Sequence, residues 1–152
     1  MTATALPRRI ERACCRDAAD IAAALDWLEA ALAEAGCPPS RAAACLVVAE
    51  EMLTNVARHA WPKGVVPGVF ALSAGIWRGR EGLGVLISTE DDGIPFDPTL
   101  CEPPDTGASV EGRPVGGLGI HLVMRMTSWQ RYRRRGGRNH FSVFWRSASP
   151  PD

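Results

Sequence analysis

The strongest constraint on the fold is a change of period partway along the chain. Between Asp17 and Ala60 the apolar residues recur at three- and four-residue steps, and from Val69 onward they come in short extended runs. A stripe that returns every three to four residues is buried by a helix, whereas an alternation of two is buried by a strand. Ile21, Leu25, Leu28 and Leu32 define a first helix, which Asp17 can cap and which Gly36 and Pro38-Pro39 end. A second runs from Ser40 to about His59, with Leu46, Ala49, Leu53, Val56 and Ala60 on one face and Trp61-Pro62 as its stop.

Arg8 to Cys15 reads as a short first strand, and Val69 to Trp77 and Leu83 to Ser88 as two more, joined by a turn around Gly79 to Gly82. A third helix, about Leu118 to Ser128, follows Gly116-Gly117, and strands Trp129 to Arg134 and Asn139 to Arg146 meet at Gly136-Gly137. Between them, Asp91 to Gly117 is rich in Pro, Gly and acidic residues and has no apolar period. Long stretches of that kind often serve as lids. Helices grouped with helices and strands with strands imply an α+β fold: a two-layer α/β sandwich whose mostly antiparallel, mixed sheet is covered on one face by helices. The 152 residues are expected to form one domain, with a core over about residues 8–147, since single domains run roughly 100 to 150 residues.

Lys and Arg balance Asp and Glu at 17 each and 46% of residues are hydrophobic, which excludes a disordered chain and a uniformly basic nucleic-acid binder. Nucleic acid is not expected as a partner. The Ala- and Leu-rich stretch from Asp17 to Gly36 carries Asp20, Asp26, Glu29 and Glu34, charges too costly for a bilayer, and no apolar run follows Arg8 and Arg9 as in a signal peptide. A cytoplasmic location without membrane association is therefore expected. Cys14, Cys15, Cys37, Cys45 and Cys101 are odd in number and lack zinc-ligand spacing, so they read as reduced thiols. The arginines from Arg131 to Arg138 read as a solvated edge that discourages strand pairing.

Three clusters carry residue types suited to chemistry. Glu51, Asn55 and His59 are spaced by four and stack on one helix face beside the apolar stripe. An Asn amide oxygen suits a Mg²⁺ that takes its other ligands from phosphates and water, and a Glu one turn away can accept a proton. Asp91-Asp92-Gly93 ends a strand, where the Asp91 carboxylate can accept from an exocyclic amine and Gly93 lets a ring approach the backbone. Gly116-Gly117-Leu118-Gly119 opens a helix, and N–H groups at a helix start form an anion site. Taken singly, each is also what a solvated helix face or a simple turn would show. The last matches neither a Walker A loop nor a Rossmann fingerprint.

Order and spacing together are more specific. Glu51-x-x-x-Asn55 on a helix, Asp91-x-Gly93 after a strand and Gly116-Gly117-x-Gly119-Ile120 after a long loop resemble the N, G1 and G2 boxes of the GHKL (Bergerat-fold, histidine-kinase-like) ATPase superfamily. Within it, Glu51-x-x-x-Asn55-x-x-x-His59-Ala60, Phe96-Asp97-Pro98 and Gly117-Leu118-Gly119-Ile120-His121-Leu122-Val123 look like the anti-sigma-factor serine/threonine kinases. The resemblance implies ATP and Mg²⁺ as cofactors and Asn55 as the metal ligand. It makes Asp91 the acceptor of the adenine amine, with Gly93 part of the adenine pocket. Gly116, Gly117, Leu118 and Gly119 would form the phosphate cradle, Arg113 would meet the γ-phosphate, and Glu51 would be the catalytic base. Two departures stand out: Pro95 replaces the second glycine of G1, and Asn139 is the nearest polar residue where the family often places a Thr near the adenine.

The same resemblance implies a protein kinase that binds a sigma factor, phosphorylates a STAS-type anti-sigma-factor antagonist and forms a homodimer. The alternative is a non-catalytic module that binds ATP only to shape itself for sequestering a partner. The two differ at Glu51, which matters only to the first.

Overall fold

A computed structural model of the chain describes residues 8–80, 82–102 and 117–146. Strand β1 (Arg8–Cys14) leads into helices α1 (Ala18–Glu34) and α2 (Pro39–His59), followed by β2 (Phe70–Gly79), β3 (Gly82–Asp91), helix α3 (Gly117–Met126), β4 (Trp129–Arg135) and β5 (Arg138–Trp145). The five strands form one sheet in the order β1-β2-β3-β5-β4, and all four pairings are antiparallel. The α+β sandwich expected from the periods is thus the observed architecture.

Local chemistry fixes the helix ends. Asp17 accepts a hydrogen bond from Ala19 N at 2.9 Å and caps α1, an interaction typically worth about 1 kcal/mol. After α1 the chain turns at Gly36, with φ +70°, and the Arg78 guanidinium donates to the carbonyls of Ala35 and Gly36 at 3.2 and 2.8 Å, satisfying that end. Helix α2 starts one residue earlier than the Ser40 signal indicated, because a proline fits the first helical position, where no N–H is needed. Gly136 and Gly137 both have positive φ, which gives the β4–β5 hairpin the tight turn that their sequence calls for.

The central strands alternate between a buried and a half-buried side, in β3 from Val85 onward. Phe70, Leu72, Ala74 and Ile76 of β2, Val85 and Ile87 of β3, and Phe141, Val143 and Trp145 of β5 face the helices and meet Leu28, Leu32, Val48, Met52, Leu53 and Val123. Removing a side chain of that size from water contributes roughly 1.5–3 kcal/mol. The other side of the sheet carries smaller and polar residues, including Ser73, Gly75, Ser88 and Ser142, with Trp77 stacked on Phe144 at 5.3 Å. Among the described residues no helix is long and apolar enough to cross a membrane, and all five cysteines are free thiols. Burial pushes the Cys45 thiol up to about 12, so it stays protonated at neutral pH.

Candidate functional site

Helix α2 lies over the C-terminal end of β3, and its polar stripe borders the gap between them. Asn55 and His59 line a cavity with Met52, Thr89, Asp91, Ile94, Ile120 and Asn139, and the same two residues line an adjoining one with Glu51, Thr54, Arg58 and Gly119. The two cavities form one groove that runs from Asp91 past Asn55 to Glu51 and the start of α3. The structure therefore brings together Glu51, Asn55, Asp91 and Gly119, and places Gly93 beside them.

At the Asp91 end the backbone is tightly held. Asp91 is only 6% exposed, and its Oδ1 accepts from Gly93 N and from Asn139 Nδ2, both at 2.9 Å. The Ile94 N–H donates to the Ala60 carbonyl at 2.8 Å, so the turn after β3 is pinned to the end of α2. A Cβ at Gly93 would collide with the Ala60 carbonyl and Cβ, which is why the smallest residue is needed there. Asp92, the neighbouring carboxylate, turns outward and accepts from Trp61 Nε1 at 2.9 Å. Of the two adjacent aspartates, only Asp91 faces the groove.

The other end is built from Glu51, Asn55 and the first turn of α3. A Cβ at Gly119 would run into Glu51 Oε2, so glycine at this position lets the carboxylate lie directly against the α3 backbone. Leu118 is 55% exposed and lines neither cavity. Arg113 and Gly116 lie outside the described residues, and of Gly117 only its place as the first residue of α3 is described.

The residues fit the groups that the resemblance implies. Asp91 Oδ2 accepts no hydrogen bond among the described residues, whereas the face of Gly93 that lacks a side chain is filled by Ala60 at the end of α2. Among the described residues no three His, Cys, Asp or Glu converge to cage an ion. A divalent cation beside Asn55 would take most of its ligands from phosphate and water, the habit of Mg²⁺.

Four contributors to the site carried no functional signal in the sequence: Tyr132, Arg134, Trp61 and the Ala60 carbonyl. Tyr132 OH and Arg134 Nη1 donate to Asn139 Oδ1 at 2.7 and 2.9 Å, and Arg134 also reaches the Gly93 carbonyl at 3.1 Å. A period of two along β4 would have set Tyr132 and Arg134 apart from Arg131 and Arg133, but not named their partner. The arginines of β4 are all exposed, as a solvated edge requires, and Arg134 differs from the others in bonding to Asn139 and Gly93.

Residues 15–145 match the family model described as the histidine kinase-like ATPase domain. The serine/threonine-protein kinase BtrW of Bordetella bronchiseptica is 32% identical over 100 residues, 66% of this chain and 67% of that protein. The crystal structure of the RsbU and RsbW domains of Rv1364c from Mycobacterium tuberculosis superposes with a TM-score of 0.60 at 16% identity, covering 91% of this chain. This chain spans only 32% of that longer one. The SiaB–SiaC complex from Pseudomonas aeruginosa gives a TM-score of 0.55 at 19% identity, over 90% of this chain and 88% of the matched one. The matched span includes the helix with Glu51 and Asn55, the turn after β3 and the start of α3, and the chain belongs to the histidine kinase-like ATPase domain family.

Proposed function

We propose that this protein is an ATP-dependent serine/threonine kinase that acts as an anti-sigma factor and phosphorylates a STAS-type antagonist. The observation that carries the reading is the continuous groove in which Asp91, Asn55, Glu51 and Gly119 follow one another. It has an acceptor for a purine amine at one end and a carboxylate against a helix start at the other. The likeness to BtrW, named a serine/threonine-protein kinase, supports it.

In this reading ATP is the phosphoryl donor, with adenine in a pocket that includes Gly93, its amine on Asp91, and the triphosphate toward Gly116, Gly117, Leu118 and Gly119. Glu51 accepts the proton of the substrate serine hydroxyl while that oxygen forms its bond to the γ-phosphorus and the bond to ADP breaks. Phosphoryl transfer depends mainly on positioning and charge stabilisation, and such a base contributes roughly 10²- to 10⁴-fold. Mg²⁺, held through the Asn55 amide oxygen, supplies neutralisation of phosphate charge. Arg113 is assigned to the γ-phosphate.

The partners in this reading are the antagonist, a sigma factor and a second copy of the chain, in the cytoplasm. The sheet face that no described residue covers, where Ser73, Gly75, Trp77 and Leu86 lie beside Trp129, is the surface assigned to that second copy. The decisive experiment is transfer of ³²P from ATP to an antagonist encoded near the gene. Label on the antagonist is the expected result. ATP binding without transfer by the intact protein would leave the non-catalytic sequestering module as the function.

A further inference from the structure

The antiparallel register places Asp91 opposite Asn139 across β3 and β5, and Asn139 opposite Arg134 across β5 and β4. Side chains in such a row share one face of the sheet, here the helix-covered face, and Tyr132 joins them two residues along β4. Asn139 is only 5% exposed, so the direction of its amide matters.

Chemistry settles that direction. The Ile94 carbonyl can only accept, so it must face the Asn139 NH₂, at 2.8 Å. The Arg134 guanidinium can only donate, so it must face the amide oxygen. With Asp91 Oδ1 on the NH₂ and Tyr132 OH on the oxygen, both donors and both lone pairs of the amide are used. Asn139 has nothing left with which to touch a base. Its only link to a bound nucleotide runs through Asp91 and the turn at Gly93 and Ile94.

We infer that Asn139, locked by Tyr132 and Arg134, is a positioning residue that engages Asp91 Oδ1 and thereby dedicates Oδ2 to the exocyclic amine of the purine. The inference rests on the reading of Asp91 as the adenine acceptor. It gives the basic hairpin a part in base selection: Arg134 and Tyr132 hold the residue that aims the carboxylate, while Arg131 and Arg133 lie on the opposite face. A carboxylate free to rotate would offer the amine a mobile partner and lose much of its discrimination.

The test compares ATP with purine riboside triphosphate, which lacks the 6-amino group, by competition against a fluorescent nucleotide. The wild type is expected to favour ATP by roughly 10- to 100-fold, the range of a hydrogen bond to a charged group. In Asn139→Ala that ratio should collapse toward one, with the affinity for purine riboside triphosphate little changed. Tyr132→Phe and Arg134→Met, which leave Asn139 in place, should each lower the ratio in part, and they carry the test should Asn139→Ala fail to fold. A purely structural role would weaken both nucleotides equally and keep the ratio, and that result overturns the inference. If the wild type itself does not discriminate, the assignment of Asp91 fails instead.

Discussion

The two ends of the groove are built on different plans. At the Asp91 end, three hydrogen bonds, from Ile94, Asn139 and Arg134, tie the turn after β3 to the end of α2 and to β4 and β5, and Gly93 N closes the turn on Asp91 Oδ1. At the Glu51 end, the functional side chains stand on the half-buried face of α2 and meet the first turn of α3 across a glycine. The first end is organised before a ligand arrives, as selective recognition requires, because little ordering entropy is then lost on binding. The second leaves Glu51 and Asn55 facing a groove in which, on the proposed function, phosphates and a second substrate would both fit. Selection of the base and handling of the phosphate are therefore expected to respond to different mutations.

The largest separation should come from Asn55→Ala. Calorimetry with Mg²⁺ present is expected to show ATP affinity falling at least about 100-fold, since even outer-sphere partners of a metal are worth roughly 10- to 100-fold. Adenosine, which has no phosphate, should bind as before. Equal ATP affinity in the variant and the wild type would remove Asn55 from the site. Gly93→Ala is the opposite probe. Its Cβ would push on Ala60 at the end of α2, and overpacking of that kind costs about 1–3 kcal/mol. Both a lower melting temperature and weaker binding of adenosine and ATP alike are expected, and a variant that weakens ATP alone would contradict the division.

Smaller effects should follow from supports further out. Trp61→Phe removes the bond to Asp92 and should cost about 1 kcal/mol in urea denaturation. Base discrimination should survive it, because Asp92 faces away from the groove. A remote control lies at the junction of β1 and α1, where Asp20 accepts from Cys15 N and Arg12 at 2.7 and 2.9 Å. The backbone bond first, and Arg12 second, hold the Asp20 carboxyl down at about 2. A carboxyl lowered on folding stabilises the native state above its ordinary value, and the benefit is lost as pH falls through about 2. Melting temperature in Asp20→Asn should therefore lie below that of the wild type at pH 5 and converge with it toward pH 2, with ATP affinity at neutral pH unchanged.

The same contrast explains what was legible in the sequence. Helices announce themselves through a stripe confined to one segment, so α1 and α2 and the face bearing Glu51, Asn55 and His59 follow from local spacing. Glycines mark their own positions, and Gly93 and Gly119 both stand where a larger residue would collide. Asn139 was visible only as a polar residue of unknown contact. Its link to Asp91 spans 48 positions and depends on β3 pairing with β5 rather than with its sequence neighbour β4. Tyr132 and Arg134 were hidden for the same reason, since a run of arginines shows its charge locally but its partners only through register. Trp61 was read as a helix stop, which it is, and its second task requires knowing where Asp92 turns. The turn's bonds are made by Gly93 and Ile94, ahead of Pro95.

The most direct test of the account is a paired measurement on Glu51→Gln, which keeps the size of the side chain and removes its ability to take a proton. ATP affinity by calorimetry and the initial rate of ³²P transfer to the antagonist are measured on the same preparation. The expected result is an unchanged affinity with transfer slowed by roughly 10²- to 10⁴-fold. Transfer at the wild-type rate, or an affinity that falls in step with the rate, would contradict the division between an end that recognises and an end that reacts.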